Sequence, residues 1–426
     1  KKWHSSEDLH VVRGRFYDLS SFDHPGGDLM IAQSKGQDIT AAVAAHHFTD
    51  APYRVLHKFE VPAHRVRGGV TASDVVGGGY SFKEDGFHSV LKRRIIDQLA
   101  GGDAHKMRQV TRPSTYYKLR VAATFAIYFA SWGWCCFGGQ FLWSAAFLAG
   151  ATRTVLVGIG HEAIHGRLGS GPLFYLFGAV LCFPSEIWHD EHVLQHHPHT
   201  KRDGLDPDEH GLAPMLRLNR FQKWSFWHAA QLLVQFFISF FFSMATWIQH
   251  SVVETILSPK DPKQWRDFAF QTFALFSFQL LPFFTAPTLF DACLTVATVV
   301  GLSNALTLHA FHISHINENN EAVGALKEGM DWGEWQCRTS SNWNSVWYSV
   351  TGMLEYQIEH HLFPSLPYAQ QDQIRPLVKK TCAEFDIPYF EYPSMAAGLF
   401  AHVKYLWGVS MDGFRRENNS SKNKVD

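Results

Sequence analysis

The chain has 426 residues, of which 46% are hydrophobic, 15% are aromatic and only 18% are charged. Its formal net charge is −1, so no excess of basic residues indicates a nucleic-acid partner. A low charged fraction with many aromatic residues is typical of a membrane protein with polar end domains. The composition therefore predicts a multidomain protein that contacts membrane lipids.

The six cysteines and 25 histidines are distributed very differently along the chain. The cysteines are scattered, form no CxxC pair and lie mostly in apolar stretches, which predicts reduced thiols in a cytosol-facing protein. The histidines are clustered, which indicates metal or haem sites. No apolar signal segment follows Lys1, and a targeting element ahead of the printed sequence is left open.

Residues 1–62 carry charge throughout and predict a small soluble domain. Within them, "FDHPGGDLMIAQSKGQDITAAVAAHHFTD" places His24 in an HPGG turn, with His46 and His47 further along. Proline and two glycines after a histidine set a tight turn that presents the imidazole at the mouth of a pocket. A second imidazole would complete bis-histidine ligation of haem, an arrangement suited to one-electron transfer.

The stretch from "YDLSSFDHPGGD" through "GQDITAAV" to "RVLHKFEV" resembles the cytochrome b5 haem-binding domain, a small α+β fold. The resemblance implies bound haem b with His24 as one axial ligand. Alignment on "GQDIT" favours His47 as the second ligand, and His46 is the alternative because the spacing after this motif varies within the family.

Residues 63–117 begin as a polar, glycine-rich linker and continue into the basic, amphipathic stretch "FHSVLKRRIIDQLAGG". This pattern predicts a helix ahead of the first membrane segment. The helix is expected either to lie on a membrane surface or to be an ordinary surface helix of the protein.

Residues 118–415 predict an all-α membrane domain. The stretch 119–160 holds only two charges and is long enough for two spanning helices, and 268–290 with 292–311 fits a second hairpin. The stretch 229–248 either spans or lies in the interface. We therefore expect about four transmembrane helices, followed by a disordered tail over residues 416–426.

Charge along the membrane domain predicts its orientation. Arg153 lies inside an apolar stretch and is expected to face a polar interior. Basic residues favour the cytosolic side, which would place the N-terminal part, the 161–267 loop and the 315–426 segment in the cytosol as a histidine-rich cap. The basic residues concerned are Lys118, Arg120, Lys201, Arg202, Arg217, Arg220 and Lys223.

Histidine clusters occur where the apolar stretches end. Histidines three or four residues apart share one helical face, so each cluster can direct several imidazoles to one point. Seven or eight imidazoles with few carboxylates suit iron, zinc or copper. Glu162 and Glu359 lie inside clusters and are expected to hydrogen-bond to ring nitrogens. The clusters contain His161 and His165; His192, His196 and His197; His309, His312 and His315; and Gln357, His360 and His361.

These clusters resemble those of the membrane-bound fatty acid desaturase family. The N-terminal cytochrome b5 domain together with "EYQIEHHLFPSLP" and "WQCRTSSNW" is similar to the front-end acyl desaturases. The resemblance implies two non-haem irons. Gln357 would bind iron weakly, donate a hydrogen bond to an oxygen ligand or leave a coordination position open. The implied iron ligands are His161, His165, His192, His196, His197, His315, His360 and His361.

The same resemblance implies the reaction. A front-end desaturase inserts a cis double bond between an existing double bond and the carboxyl end of a polyunsaturated acyl chain, using O2 and electrons delivered singly through the haem domain. It implies NADH–cytochrome b5 reductase as the electron donor, an endoplasmic reticulum membrane location, and fatty acyl-CoA or acyl-phospholipid as substrate. The sequence leaves open the double-bond position and the chain length.

Three alternatives share some of these features. One is a sphingoid long-chain-base desaturase of the same architecture, and another is a lipid hydroxylase fused to cytochrome b5. The "QIEHH" motif favours desaturation over hydroxylation. The third is a non-enzymatic membrane haem electron carrier, in which the histidines beyond the two haem ligands would have no use.

Overall fold

The computed structural model describes residues 3–168, 171–253, 262–320, 327–345 and 354–422. The N-terminal module, residues 3–75, has a three-stranded antiparallel sheet in the order β1-β2-β3. Val11 of β1 is opposite Phe16 of β2, and Phe16 is opposite Val61 of β3. The elements are β1 (His10–Val12), β2 (Arg15–Tyr17), α1 (Leu29–Gln33), α2 (Thr40–His46), α3 (Ala51–Leu56) and β3 (Glu60–Val61).

The core of the N-terminal module lies on both faces of this sheet. On one face Val12 and Tyr17 pack with Leu56, and the other face carries a second cluster around Phe16. Val11, Phe16 and Val61 pack together there, and Val66 and Val75 complete the cluster. The packed core thus continues beyond residue 62, where the sequence analysis ends the domain. The small α+β fold predicted for this part of the chain is confirmed.

The rest of the described chain is mostly helical, with four π-helical segments and one short parallel strand pair. Its helices are α4 (Phe87–Ala100), α5 (Met107–Val110), α6 (Thr115–Phe137), α7 (Trp143–Ile164), α8 (Pro172–Leu181), α9 (Ser185–Trp188), α10 (His197–His199), α11 (Pro207–His210), α12 (Gln231–Phe240), α13 (Phe242–Thr246), α14 (Pro262–Leu275), α15 (Pro282–Thr285), α16 (Leu289–Thr295), α17 (Leu302–His315), α18 (Trp332–Thr339), α19 (Gln357–Leu362), α20 (Tyr368–Glu384) and α21 (Met395–Lys422). The π-helical segments are His189–His196, Trp247–Val253, Phe276–Leu280 and Val296–Gly301, and the paired strands are β4 (Asn342–Trp343) and β5 (Glu391–Tyr392).

Two helices of the described chain are long and apolar enough to cross a membrane, Trp143–Ile164 and Leu289–His315. A third candidate is the pair Phe226–Phe240 and Phe242–Val253, which is bent by 82°. The expected number of four is not confirmed. Arg120 and several Trp, Tyr and Ser side chains lower the hydropathy of α6, although α6 and α7 form the predicted hairpin.

Arg153 is buried within this apolar region, and its guanidinium Nη1 donates a hydrogen bond of 2.9 Å to Asn304 Oδ1. The Asn304 amide donates in turn to Ser243 Oγ at 2.8 Å. A buried guanidinium needs such polar partners, because leaving a charge unpaired in an apolar interior costs on the order of several kcal/mol. The polar interior predicted around Arg153 is confirmed.

The amphipathic helix α4 is covered by protein along its apolar face. Leu91 and Ile95 are fully buried and pack in one cluster with Ile358 and Leu362 of α19 and with α20. The hypothesis that α4 lies on a membrane surface is therefore wrong, because the face that would enter the lipid is occupied. The helix instead packs against α19, which carries His360 and His361.

The last helix, α21, contradicts the expected disorder of residues 416–426. Its Tyr405, Leu406 and Val409 side chains pack against the Leu216–Leu218 region, and the helix continues to Lys422. Elongation adds one hydrogen bond per residue without a new nucleation cost, so a helix anchored by packing extends into polar sequence. Residues 423–426 lie outside the described residues.

Replacing Leu91 by alanine is expected to lower the free energy of unfolding by about 2–5 kcal/mol, because it leaves a cavity between α4, α19 and α20. Thermal unfolding of the detergent-purified protein measures this as a lower melting temperature. The matched control is Arg93→Ala, which removes an exposed side chain from the same helix. Equal melting temperatures for the two variants would contradict the packing described.

Candidate metal centre and haem site

The first histidine cluster lies at the end of α7. His161 is in the last turn of the helix and His165 is its C-cap residue, and both are buried. Their ring centroids are 5.2 Å apart. The predicted i, i+4 pairing on one helical face is therefore present at the end of a candidate membrane span.

The second cluster lies on the π-helical segment His189–His196 and on α10, which continues it. In a π-helix the backbone bonds run from residue i to i+5, so His197 comes close to His192. Their Nε2 atoms are 3.1 Å apart. His196, which an α-helix would pair with His192, belongs to a different group of rings.

The eight predicted histidine ligands form two groups in which the ring nitrogens lie within 4.8 Å of one another. The groups adjoin, because the stacked rings of His197 and His361 have centroids 4.2 Å apart. Each group has the size and composition of a metal site. The first histidine group is His161, His165, His192, His197 and His360, and the second histidine group is His196, His315 and His361.

The ring nitrogens of the first histidine group fit a metal ion. His192 Nε2 is 2.8 Å from His161 Nε2 and 3.1 Å from His197 Nε2. Ligand atoms about 2 Å from one metal and at right angles to each other are roughly 3 Å apart. Among the described residues, both ring nitrogens of His165 and the Nε2 of His360 are buried without a hydrogen-bond partner. Metal coordination would satisfy these atoms.

The rings of the second histidine group are oriented by hydrogen bonds from their other nitrogen. His196 Nδ1 donates to Asp206 Oδ1 at 2.9 Å, and His315 Nδ1 donates to the Thr339 carbonyl at 3.0 Å. His361 Nδ1 lies 3.0 Å from Gln336 Oε1. An acceptor on Nδ1 fixes the tautomer and leaves Nε2 free to bind a metal.

Glu162 and Glu359 do not make the contacts that the sequence analysis expects. Glu162 Oε1 accepts a hydrogen bond of 3.1 Å from the backbone N–H of Tyr368. Glu359 accepts from Asn342 Nδ2 at 2.7 Å and from the Tyr389 hydroxyl at 2.9 Å. Both carboxylates therefore hold neighbouring segments in place, and the expectation that they bond to ring nitrogens is wrong.

Asp206 is the site residue that the sequence analysis missed. It is the N-cap of α11, where its side chain accepts from the backbone N–H of Asp208 at 3.0 Å, and it also bonds His196. The only signal in the sequence is an Asp-Pro pair, which is typical of a helix start. Its distance of ten residues from His196 in the sequence gives no indication of the contact.

The protonation state of the rings suits metal binding. Burial lowers the pKa of His192, His197, His360 and His361 well below the ordinary value, so these rings are neutral at pH 7 and carry a free lone pair. His196 differs: burial lowers its pKa, but the carboxylates of Asp206 and Asp208 outweigh this and raise it to about 9. Metal binding at His196 therefore displaces a proton.

Gln357 is the first residue of α19 and is buried. It precedes His361 of the second histidine group by one helical turn. Its amide Nε2 donates a hydrogen bond of 3.0 Å to the Leu354 carbonyl. The described hydrogen bond of this amide thus goes to the backbone and not to a histidine ring. A direct role of Gln357 at the metal stays a prediction.

In the N-terminal module, His24 and His47 face each other. Their ring centroids are 6.1 Å apart at an interplanar angle of 85°. Two imidazoles that each place a nitrogen about 2 Å from one metal have centroids roughly 6 Å apart, so the pair fits a haem iron between them. Burial lowers the pKa of His47 to about 4, which keeps the ring neutral. The ring of His46 stacks on His165.

Comparison with known families follows the same division of the chain. The profile of the family described as "Fatty acid desaturase" matches residues 140–393, which include every member of both histidine groups. The chain belongs to the fatty acid desaturase family. The description "Cytochrome b5-like Heme/Steroid binding domain" applies to residues 2–67, so a cytochrome b5 domain is fused to the desaturase domain.

Curated relatives resemble three quarters or more of the chain. An acyl-lipid (8-3)-desaturase of Physcomitrium patens is 26% identical over 95% of this chain and 88% of its own length. An acyl-lipid (7-3)-desaturase of Diacronema lutheri is 27% identical over 94% of this chain and 89% of its own. An sn-1 linoleoyl-lipid 6-desaturase of Synechocystis sp. is 24% identical over 75% of this chain and 94% of its own.

Membership in this family makes the protein an oxygen-dependent desaturase, an oxidoreductase that acts on fatty acyl chains. The cytochrome b5 domain implies haem and electron transfer, and the desaturase domain implies iron. The two or three candidate spans are consistent with a membrane enzyme. The alternative of a non-enzymatic haem carrier does not agree with these findings.

Replacing Asp206 by asparagine is expected to weaken metal binding about 10- to 100-fold, because the amide keeps the helix cap but removes the charge that orients His196. Metal content after dialysis against a chelator series measures this. The matched control is Asp203→Asn, whose side chain is 91% exposed. Identical retention curves for the two variants would show that Asp206 does not support a metal ligand.

Replacing His47 by alanine is expected to abolish the absorption spectrum of six-coordinate haem, because one of the two facing imidazoles is lost. The control is His57→Ala, a substitution of a 67% exposed histidine in the same module. Spectra of the purified, haem-reconstituted proteins decide the outcome. An unchanged spectrum in the His47 variant would identify a different axial ligand.

Proposed function

We propose that the protein is a front-end acyl desaturase, which inserts a cis double bond between an existing double bond and the carboxyl end of a polyunsaturated acyl chain. The observation that carries the proposal is an apolar cavity of about 380 Å³ that reaches both histidine groups. The curated relatives support it, because their names describe desaturases that act on acyl lipids and, in one case, on a linoleoyl lipid.

The cavity lies between the apolar helices and the histidines. Its walls come mainly from α7, α11, α13 and α17, and apolar atoms line most of it. Ring atoms of His192 from the first histidine group and His315 from the second form part of the same wall. An acyl chain in this cavity would therefore pass both groups. The walls include Val157, Leu181, Trp188, His192, Phe311 and His315.

The two histidine groups are proposed to hold two non-haem irons, one in each group, and His24 with His47 to hold haem b. When bound, the irons supply the oxidising power of activated O2, which removes two hydrogens from an unactivated chain. The protein itself would align the chain along the wall that carries His192 and His315. The rings of the second group are held in place by Asp206, Thr339 and Gln336.

The electron balance explains why the haem domain is fused to this enzyme. Reduction of O2 to water takes four electrons, of which two come from the substrate C–H bonds and two from outside. The outside electrons must arrive singly, and a bis-histidine haem carries one electron at a time. We propose NADH–cytochrome b5 reductase as their source, and an endoplasmic reticulum membrane location with the haem domain and the histidine groups on the cytosolic side.

The sphingoid-base desaturase is the second candidate, since it shares the fused architecture. The names of the relatives favour the acyl-lipid alternative, and they favour a lipid-bound chain over acyl-CoA as the carrier. Gln357 is the first residue of the "QIEHH" helix. We propose that it is at most a weak ligand of the iron, because amides bind iron more weakly than imidazoles do.

The proposed function predicts the products of yeast that expresses the chain and is fed C18 and C20 polyunsaturated acids separately. Gas chromatography is expected to show a new double bond on the carboxyl side of an existing one, in the lipid-bound fraction. His196→Ala should abolish the product, and the exposed-site control His105→Ala should retain it. An altered sphingoid-base profile without an acyl product would replace this proposal with the second candidate.

A further inference from the structure

The N-terminal module is held on the desaturase domain by contacts on both sides of His46. Gln33, at the end of α1, donates to the Glu186 carbonyl at 2.8 Å and accepts from His189 Nδ1 at 2.7 Å. Lys92 Nζ of α4 donates to the Ala44 carbonyl at 2.8 Å. These bonds fix the orientation of α2, the helix that ends at His46.

Phe48, which follows His46 and His47, packs at the same interface. Phe48 stacks on Phe363, with centroids 5.7 Å apart and an interplanar angle of 19°. Phe363 directly follows α19, which carries His360 and His361. The segment around His46 is therefore in direct contact with the structure that forms the two histidine groups.

His46 and His47 point to different sites although they are neighbours in the chain. The His47 ring faces His24 across the haem site. The His46 ring lies against His165 of the first histidine group, with centroids 6.1 Å apart and an interplanar angle of 25°. Consecutive residues at a helix end project in different directions, so one ring can face the haem and the other the metal centre.

His46 has no other described role that uses its ring edge. Its Nδ1 donates to the Ala42 carbonyl at 3.0 Å, while its Nε2 is buried and has no hydrogen-bond partner among the described residues. Leaving such a nitrogen unsatisfied costs on the order of 1–3 kcal/mol. A leucine or phenylalanine at this position would fill the interface without that cost.

We propose that His46 is the residue through which electrons pass from the haem to the desaturase metal centre. This inference rests on the proposed function, which places haem at His47 and iron at His165. One electron leaves ferrous haem, which becomes ferric, and reduces an iron of the metal centre from the ferric to the ferrous state. Two such transfers per turnover deliver the outside pair of electrons.

The path has one covalent part and one through-space part. His47 and His46 are joined by a single peptide unit, and the His46 ring then crosses to the near-parallel ring of His165. Electronic coupling falls steeply across a through-space gap, so a conjugated ring that fills this gap speeds the transfer. His46 is thus a relay between two ligands, and in this account it binds neither iron itself.

The test measures reoxidation of the haem and does so apart from product formation. Full-length protein is reduced, mixed with O2 in the presence of an acyl-lipid substrate, and followed at the haem Soret band in a stopped-flow instrument. His46→Leu is expected to slow reoxidation at least tenfold, while the haem spectrum, midpoint potential and non-haem iron content stay as in the unsubstituted protein. His46→Phe keeps a stacked ring and is expected to retain most of the rate.

A second measurement separates the relay from a structural role. Dithionite with a small redox mediator reduces the metal centre directly, so His46→Leu should then give the same yield of product in one turnover as the unsubstituted protein. Full-rate haem reoxidation in His46→Leu would overturn the relay, and so would loss of its haem, which would make His46 an axial ligand. Failure of the proposed function is distinct, because the unsubstituted protein itself would then give no product.

Discussion

Eight imidazole rings are packed against one another where α7, α17, α19 and the π-helical segment His189–His196 end. In the first histidine group, His192 Nε2 lies about 3 Å from two other ring nitrogens, while both ring nitrogens of His165 and the Nε2 of His360 have no partner among the described residues. Polar atoms are buried in this way only when something else satisfies them. Metal coordination meets that need, and the surrounding fold serves to hold these rings at the required distances.

The supporting elements are arranged around this constraint. Helix α4 covers α19 and thereby fixes His360 and His361, while α11 places Asp206 against His196. The apolar cavity is lined by His192 and His315, so it borders one member of each histidine group. The N-terminal module contacts the first histidine group where His46 stacks on His165. The cavity, the two histidine groups and the N-terminal module therefore meet at a single cluster of histidines.

Much of this site could be predicted from the sequence, because the pairing of His161 with His165 and the adjacency of His360 and His361 follow from helical spacing. The division into two groups could not. A π-helix leaves no mark in a residue pattern, yet it joins His192 to His197 and separates His196 from both.

Contacts between distant segments were equally hidden from the sequence. The bond between His196 and Asp206 depends on a loop, and the docking of the N-terminal module depends on Gln33, a residue with no motif around it. The hypothesis that α4 lies on a membrane surface was wrong for a related reason. Amphipathicity shows that a face will be buried but does not identify what covers it.

The central claim is that one chain holds a haem and two further irons in separate histidine sites. The most direct measurement is the ratio of total iron to haem in the same purified, iron-reconstituted sample, with Mössbauer spectroscopy to distinguish the iron environments. The account predicts three irons for each haem, with the two non-haem irons present in equal amounts. One iron for each haem would contradict it, because the buried histidine groups would then have no metal to bind.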